Sequence, residues 1–275
     1  MTAAVGSEAR GLAPAYAAVR ARVGLIALLF ALAGLAWWST AHRMAGMDAG
    51  PGTALGGLGW FVGVWVVMMA AMMFPSVAPT IALYARMSRR RAPTAPLVFA
   101  AGYLLAWTAA GVLAYGLTEL GRAALDDTLA WDRTGRWIAG GTLLLAAGYE
   151  LTPLKDVCLT KCRSPLGFLL GSWRDGLRGA LTMGTRHGAW CVGCCWALMA
   201  SLFALGVMSL IWMALITALI ALEKTVTRGG KATVYATALI LLVLGVAVLA
   251  SPDAVPGLTV PGGAPDADAM QMPMR

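Results

Sequence analysis

The sequence predicts an all-α membrane protein, a bundle of about seven transmembrane helices. The chain has 275 residues, of which 59% are hydrophobic and 12% charged. A soluble domain carries about 25% charged residues, so this chain has too little polar surface to solvate a globule. Long apolar runs recur along it, and about 20 apolar residues are what a helix needs to cross a bilayer.

Seven apolar runs are candidate spans. In chain order they cover residues 23–39, 58–74, 96–118, 137–152, 189–206, 209–222 and 232–250. The first run follows Arg20 and Arg22 and ends at the pair Trp37 and Trp38, which is typical of a helix with aromatic rings at the interface. A signal peptide is the alternative, but the run is longer than a usual signal core and no small-x-small cleavage site follows it immediately.

Proline and glycine predict where two of these helices end. Pro75 and Pro79 lack a backbone donor, so the second helix should kink there or end near Arg86. Residues 191–222 are too many for one ordinary span, and Gly206 offers a turn. A single tilted helix is the alternative, which would give six spans and change the side of the carboxyl terminus.

The loop between spans four and five predicts a short additional helix. It begins with Ser164 and Pro165, a start signal for a helix, and continues through an apolar stretch. An amphipathic piece around Arg178 follows. We expect this loop to lie in the membrane interface or to be re-entrant.

Charge predicts the orientation of the bundle. Cytoplasmic loops carry an excess of Lys and Arg, and with the amino terminus inside, most of the 21 basic residues fall in inner loops. The carboxyl terminus then lies outside. The net charge of +8 is explained by contact with anionic lipid, and no nucleic-acid partner is expected, because the basic residues are distributed over short loops on one face.

All five cysteines and one of the two histidines lie in two short segments between residues 158 and 195. Intervals of three and four residues place most of them on one face of a helix. Thiolates and imidazole select soft or borderline ions, so the pattern predicts a site for copper(I), or less favourably for zinc. The candidate ligands are Cys158, Cys162, His187, Cys191, Cys194 and Cys195.

Two other interpretations of the cysteines remain open. One is a membrane thiol-disulfide oxidoreductase that cycles a cysteine pair, although cytoplasm is reducing and Cys191-x-x-Cys194 lacks the context of a thioredoxin motif. The other is a structural subunit of a membrane complex, with cysteines that pack as small apolar residues. Motifs for nucleotide binding, serine catalysis and zinc proteolysis are absent from the sequence, so no enzymatic activity is assigned.

Methionine is the second soft donor, with 15 residues. Met68, Met69, Met72 and Met73 form i,i+4 pairs in the second span, where packing is the alternative role. The tail carries Met270, Met272 and Met274. Possible secondary metal ligands are His42, Met44 and Met47 in the first outer loop, together with Met68 and Met72.

Ionisable groups near the spans are few. Glu150 closes the fourth span, and Glu223 with Lys224 closes the sixth. Groups at helix ends often snorkel or pair locally, so we interpret these three as anchors. Glu150 also lies close to Cys158 in sequence, which makes it a candidate neighbour of the thiol site, as a hard ligand or a proton acceptor.

Three stretches resemble a known family. They are Trp65–Pro79 with its four methionines, Leu151–Phe168 with two cysteines, and Met183–Met199 with His187 and three cysteines. They are similar to the bacterial predicted metal-binding integral membrane proteins, a domain-of-unknown-function family sometimes labelled copper chaperone, over about residues 58–250. The resemblance implies a multi-pass protein of the bacterial inner membrane.

The expected organisation has three parts. A cytoplasmic segment (residues 1–22) precedes one transmembrane metal-binding domain (23–250), and a flexible tail that contains methionines (251–275) follows. The expected function is handling of copper(I) in delivery, transfer or homeostasis. The expected partners are the lipid bilayer and a protein that donates or receives the metal.

Overall fold

The computed structural model describes residues 23–42, 55–88, 93–125, 134–206, 209–226, 230–252, 255 and 258. Across these residues the fold is all-α, as predicted, with no strand. The helices are α1 (Val23–His42), α2 (Leu58–Ser88), α3 (Ala95–Leu125), α4 (Arg136–Glu150), α5 (Pro153–Arg163), α6 (Pro165–Ser172), α7 (Gly176–Leu205), α8 (Leu210–Thr225) and α9 (Gly230–Ala250).

The predicted spans overlap seven of these helices, but not all seven have the length of a span. Five helices, α1, α2, α3, α7 and α9, are long and apolar enough to cross a membrane. The other two, α4 and α8, have 15 and 16 residues. At 1.5 Å per residue they reach at most about 24 Å, short of a hydrocarbon core of about 30 Å. The count of seven spans therefore stays a prediction.

The structure agrees with two boundaries predicted from proline and glycine, the end of the second helix and the turn at Gly206. Helix α2 continues through Pro75 and Pro79 and ends at Ser88. Helix α7 ends before Gly206, whose φ of 108° lies in the region that favours glycine. Helix α8 then starts after Ser209. The chain thus forms two helices here, not the single tilted helix that was the alternative.

The segment before α7 differs from the prediction. Two short helices replace the one expected: α5, where the Thr152 side chain accepts a hydrogen bond from the Lys155 backbone N–H, and α6, which begins at Pro165. The predicted separate amphipathic piece around Arg178 is wrong, because these residues are the first turns of α7. Apolar periodicity missed this start, since glycines carry the packing there.

Glycines allow α3 and α7 to pack with their backbones in contact. A Cβ atom on Gly188 would lie 2.7 Å from Ala106 Cβ, and one on Gly184 would collide with the Phe99 carbonyl oxygen. The spacing Gly184-x-x-x-Gly188 is the small-x-x-x-small pattern of close helix pairs in membranes. This contact fixes α7 against α3 directly before the turn that carries the cysteines.

Gly184→Val should destabilise the fold because its side chain has no room against α3. We expect a loss of about 1–3 kcal/mol, the usual penalty of overpacking, measured as a lower thermal midpoint of the protein in detergent. Gly116→Val in α3 is the control, since a Cβ at Gly116 meets nothing within 4 Å. Equal midpoints for the two variants would contradict the close α3–α7 contact.

Candidate metal centre

Four thiols meet where α5 packs against α7. The Sγ atoms of Cys191, Cys194 and Cys195 all lie within 4.8 Å of one another, and all three residues are buried. Cys194 Sγ is 3.3 Å from Cys195 Sγ and 3.7 Å from Cys162 Sγ of α5. Cys162 is half-buried. We call these four residues the thiol cluster.

Helices α4 and α5 are held close to α7 by small contacts beside the thiol cluster. The Tyr149 hydroxyl donates a hydrogen bond of 2.6 Å to the Gly193 carbonyl oxygen. A Cβ atom on Gly193 would lie 2.9 Å from Cys158 Sγ, so only glycine leaves room for this cysteine. Cys158 thus packs beside α7, outside the group of three mutually close thiols, and burial raises the pKa of its thiol.

His187 lies one turn before Cys191 on α7 and is 3% exposed. Its ring packs edge-on against Phe168, with centroids 4.7 Å apart, and beside Phe99 and Tyr103. Within the described residues its Nδ1 atom is buried without a hydrogen-bond partner, and such atoms are rare in folded proteins. His187 is not among the mutually close residues of the candidate site, but its Nδ1 atom is a candidate metal ligand one helical turn before Cys191.

A buried lysine points at the thiol cluster. Lys224 Nζ of α8 donates to Cys191 Sγ at 2.9 Å and to Ser76 Oγ at 3.4 Å, and it lies 3.9 Å from Met73 Sδ. The Tyr103 hydroxyl lies 3.0 Å from the same Cys191 sulfur. An ammonium group beside a sulfur favours its thiolate form, which is the form that binds metal.

A second buried lysine forms an ion trio with two carboxylates. Lys155 Nζ of α5 pairs with Glu150 Oε2 of α4 and with Glu223 Oε2 of α8, the latter at 2.8 Å. Burial by itself would lower the pKa of Lys155, but the two carboxylates outweigh it and raise the pKa. Lys155 therefore stays charged, and the trio joins three helices around the thiol cluster.

Lys224, Glu223 and Lys155 are functional candidates, although the sequence analysis interpreted the first two as anchors and gave Lys155 no role. Glu223 is 1% exposed and Lys224 is 9% exposed, so neither reaches out of the bundle as an anchor would. Glu150 is buried as well, and it binds Lys155, not a thiol. The signal was present, since ionisable residues next to an apolar run are expensive to bury and usually have a role.

The predicted secondary ligands are placed as follows. Met68 and Met72 are 1% exposed in the core of α2, but the sulfur near Lys224 belongs to Met73. His42 lies at the end of α1, with its ring 4.8 Å from that of Trp38. Met44, Met47 and the methionines of the tail lie outside the described residues. A metal role for all of these stays a prediction.

The donor set fits a soft ion. Three sulfurs lie within 4.8 Å of one another and the Cys162 sulfur lies 3.7 Å from that of Cys194, and thiolates are ligands that copper(I) and zinc prefer. The Lys224 ammonium group lies beside these sulfurs. Its positive charge would balance one excess negative charge of a complex between a metal ion and the thiolates. A buried charge is tolerated when it is paired in this way.

The fold and the cluster define a class: an all-α protein with helices of membrane-spanning length around a candidate site for a soft metal. The family model of PpoB2, described as copper chaperone, matches residues 62–248. The chain belongs to this copper chaperone family, which confirms the resemblance drawn from the motifs. The searches of curated proteins and of solved structures found no match.

Lys155→Met should destabilise the protein strongly because it leaves two buried carboxylates without a counter-charge. Breaking a buried ion pair by removing one partner costs about 3–5 kcal/mol. The measurement is thermal unfolding in detergent. Lys161→Met is the matched control, an exposed lysine on the same helix. If both variants unfolded at the wild-type temperature, the result would contradict a structural role for the ion trio.

Proposed function

We propose that this protein is a membrane-embedded copper(I) chaperone that holds the ion in its thiol cluster. The observation that carries the proposal is the convergence of Cys162, Cys191, Cys194 and Cys195 from two helices. Thiolates are soft ligands, and the family to which the chain belongs is described as copper chaperone. His187, with its unpartnered Nδ1 atom, is the candidate for an additional ligand.

Charge favours copper(I) over zinc. A copper(I) ion with two thiolates has a net charge of −1, which the Lys224 ammonium would neutralise. A zinc ion with the same two thiolates would have no net charge, and the positive charge of Lys224 would remain uncompensated. In surroundings of low dielectric constant, an uncompensated charge is costly.

The proposed location is the bacterial inner membrane, with the amino terminus in the cytoplasm. Five apolar helices support insertion into a bilayer, and α4 and α8 would complete seven spans. The excess of basic residues in loops assigned to the inner side supports this orientation. The thiol cluster would then be reached from the cytoplasm.

Cys162 is the proposed exchange ligand. It is half-buried, whereas the other three thiols of the cluster are buried. A thiolate of a partner protein would bond to copper(I) as the bond from copper to Cys162 Sγ breaks, so the ion never leaves sulfur and its oxidation state does not change. The partner is a protein that donates or receives copper.

Copper content tests the ligand set. Wild-type protein, purified without oxygen after growth with copper, should carry about one copper per four-thiol site, and Cys194→Ser should lose it. Cys158→Ser is the matched control, since Cys158 packs against Gly193 beside the cluster, and this variant should keep its copper. Metal is measured by mass spectrometry, with zinc determined in the same samples.

The other results would each exclude something specific. If Cys158→Ser lost its copper as well, the four-thiol site would be contradicted, and the larger set of ligands predicted from the sequence, which includes Cys158, would be favoured. Metal-free wild type with a disulfide between Cys162 and Cys194 would replace the chaperone by a thiol oxidoreductase. Metal-free wild type with reduced thiols would favour a structural subunit.

Lys224→Met should weaken copper(I) binding by at least about tenfold, which corresponds to 1.4 kcal/mol. The reason is that the metal-thiolate complex loses the positive charge next to Cys191. Affinity is measured by competition with a copper(I) chelator. Lys231→Met, an exposed lysine at the start of α9, is the control. Unchanged affinity in a folded Lys224→Met protein would remove the charge argument for copper(I).

A further inference from the structure

Two buried methionines of α2 and one of α7 extend from the thiol cluster in one direction. Met69 and Met73 are four residues apart on α2, and both are fully buried. Met199 follows Cys191 and Cys195 on α7 at intervals of four residues and is 4% exposed. Residues at this interval lie on adjacent turns of nearly the same helix face.

The first of these sulfurs is linked directly to the thiol cluster. The Lys224 ammonium group contacts both Met73 Sδ, at 3.9 Å, and Cys191 Sγ, at 2.9 Å. One small group thus bridges a thioether of α2 and a thiol of α7. The two soft donors face the same point between the helices.

A second contact fixes the direction of α2 relative to α7. The rings of Trp65 and Phe203 lie 5.8 Å apart. Trp65 precedes Met73 on α2, whereas Phe203 follows Cys191 on α7, so the helices run antiparallel between the two contacts. Met69 lies midway between Trp65 and Met73 and therefore at the level of Cys195 and Met199.

On α7 the sulfurs continue one turn beyond the thiol cluster, since Met199 lies about 6 Å past Cys195. From Cys191 to Met199, α7 rises by about 12 Å, roughly 40% of a hydrocarbon core of about 30 Å. The path starts near the middle of α7 and approaches its carboxyl end. Packing alone requires volume but no sulfur, and leucine has nearly the same volume as methionine. Thioether sulfur, in contrast, is a ligand for copper(I).

We propose that Met73, Met69 and Met199 form a thioether relay that carries copper(I) between the thiol cluster and the end of the bundle at Leu205. The inference rests on the proposed function and adds transport across the membrane to it. At each step a bond from copper to the next sulfur forms while the bond to the previous sulfur breaks. The ion stays copper(I), and a ligand on the far side accepts it.

Copper uptake into vesicles tests the relay. The protein is reconstituted into liposomes that enclose a copper(I) chelator, and copper(I) is supplied outside as a weaker complex. Wild type should load the enclosed chelator faster than protein-free liposomes do. Met69→Leu/Met73→Leu and, separately, Met199→Leu should reduce uptake to the protein-free rate. Each should retain the copper content of the wild type in detergent.

The matched control is Met213→Leu. It removes an equally buried sulfur from α8, and uptake should remain at the wild-type rate. An equal loss in the control and in the relay variants would assign the effect to packing and overturn the relay.

The relay and the chaperone function fail in different ways. Wild type that binds copper in detergent but does not load the vesicles would remove the relay and leave the chaperone. Wild type that binds no copper would remove both.

Discussion

The buried ion trio of Lys155, Glu150 and Glu223 is the interaction on which the arrangement around the thiol cluster depends. It joins the end of α4, the start of α5 and the end of α8 in a place where water does not compete. Charges in such surroundings are stable only when paired, so the trio permits little variation in how these helices meet. Helix α5, held in this way, carries Cys162 to Cys194.

Two neighbouring residues at the end of α8 have different roles. Glu223 belongs to the ion trio, and Lys224, next in sequence, contacts Cys191, Ser76 and Met73. Because the two side chains share one helix end, the ion trio and the candidate metal site are coupled. A shift of α8 that weakens the trio would also withdraw the ammonium group from Cys191.

Local patterns predicted most of the helices and the shared helix of Cys191, Cys194 and Cys195, because both depend on intervals within one segment. The spacing of Cys191, Cys194 and Cys195 on a helix is such a case, and so is the stop at Gly206. Close approach between helices follows different rules. Gly184 and Gly188 carry no apolar side chain, so the start of α7 was placed too late.

Pairing between distant segments could not be predicted from intervals. Lys224 lies 33 residues from Cys191, and Lys155 lies far from Glu223 in sequence, so nothing local indicates that these groups meet. Tyr103 reaches Cys191 from α3, across 88 residues. Even so, burying a charge is expensive, and every ionisable residue beside an apolar run can be treated as a member of a pair whose partner is to be found.

The burial of the thiol cluster also bears on how a chaperone can release a tightly held ion. Three thiols are enclosed, which protects them from oxidation, and one, Cys162, is partly open. An ion bound by several sulfurs dissociates slowly into water, but it can leave by exchange of one ligand at a time. In the proposed chaperone, affinity would reside in the enclosed thiols, and the rate of transfer would depend on the one that a partner can reach.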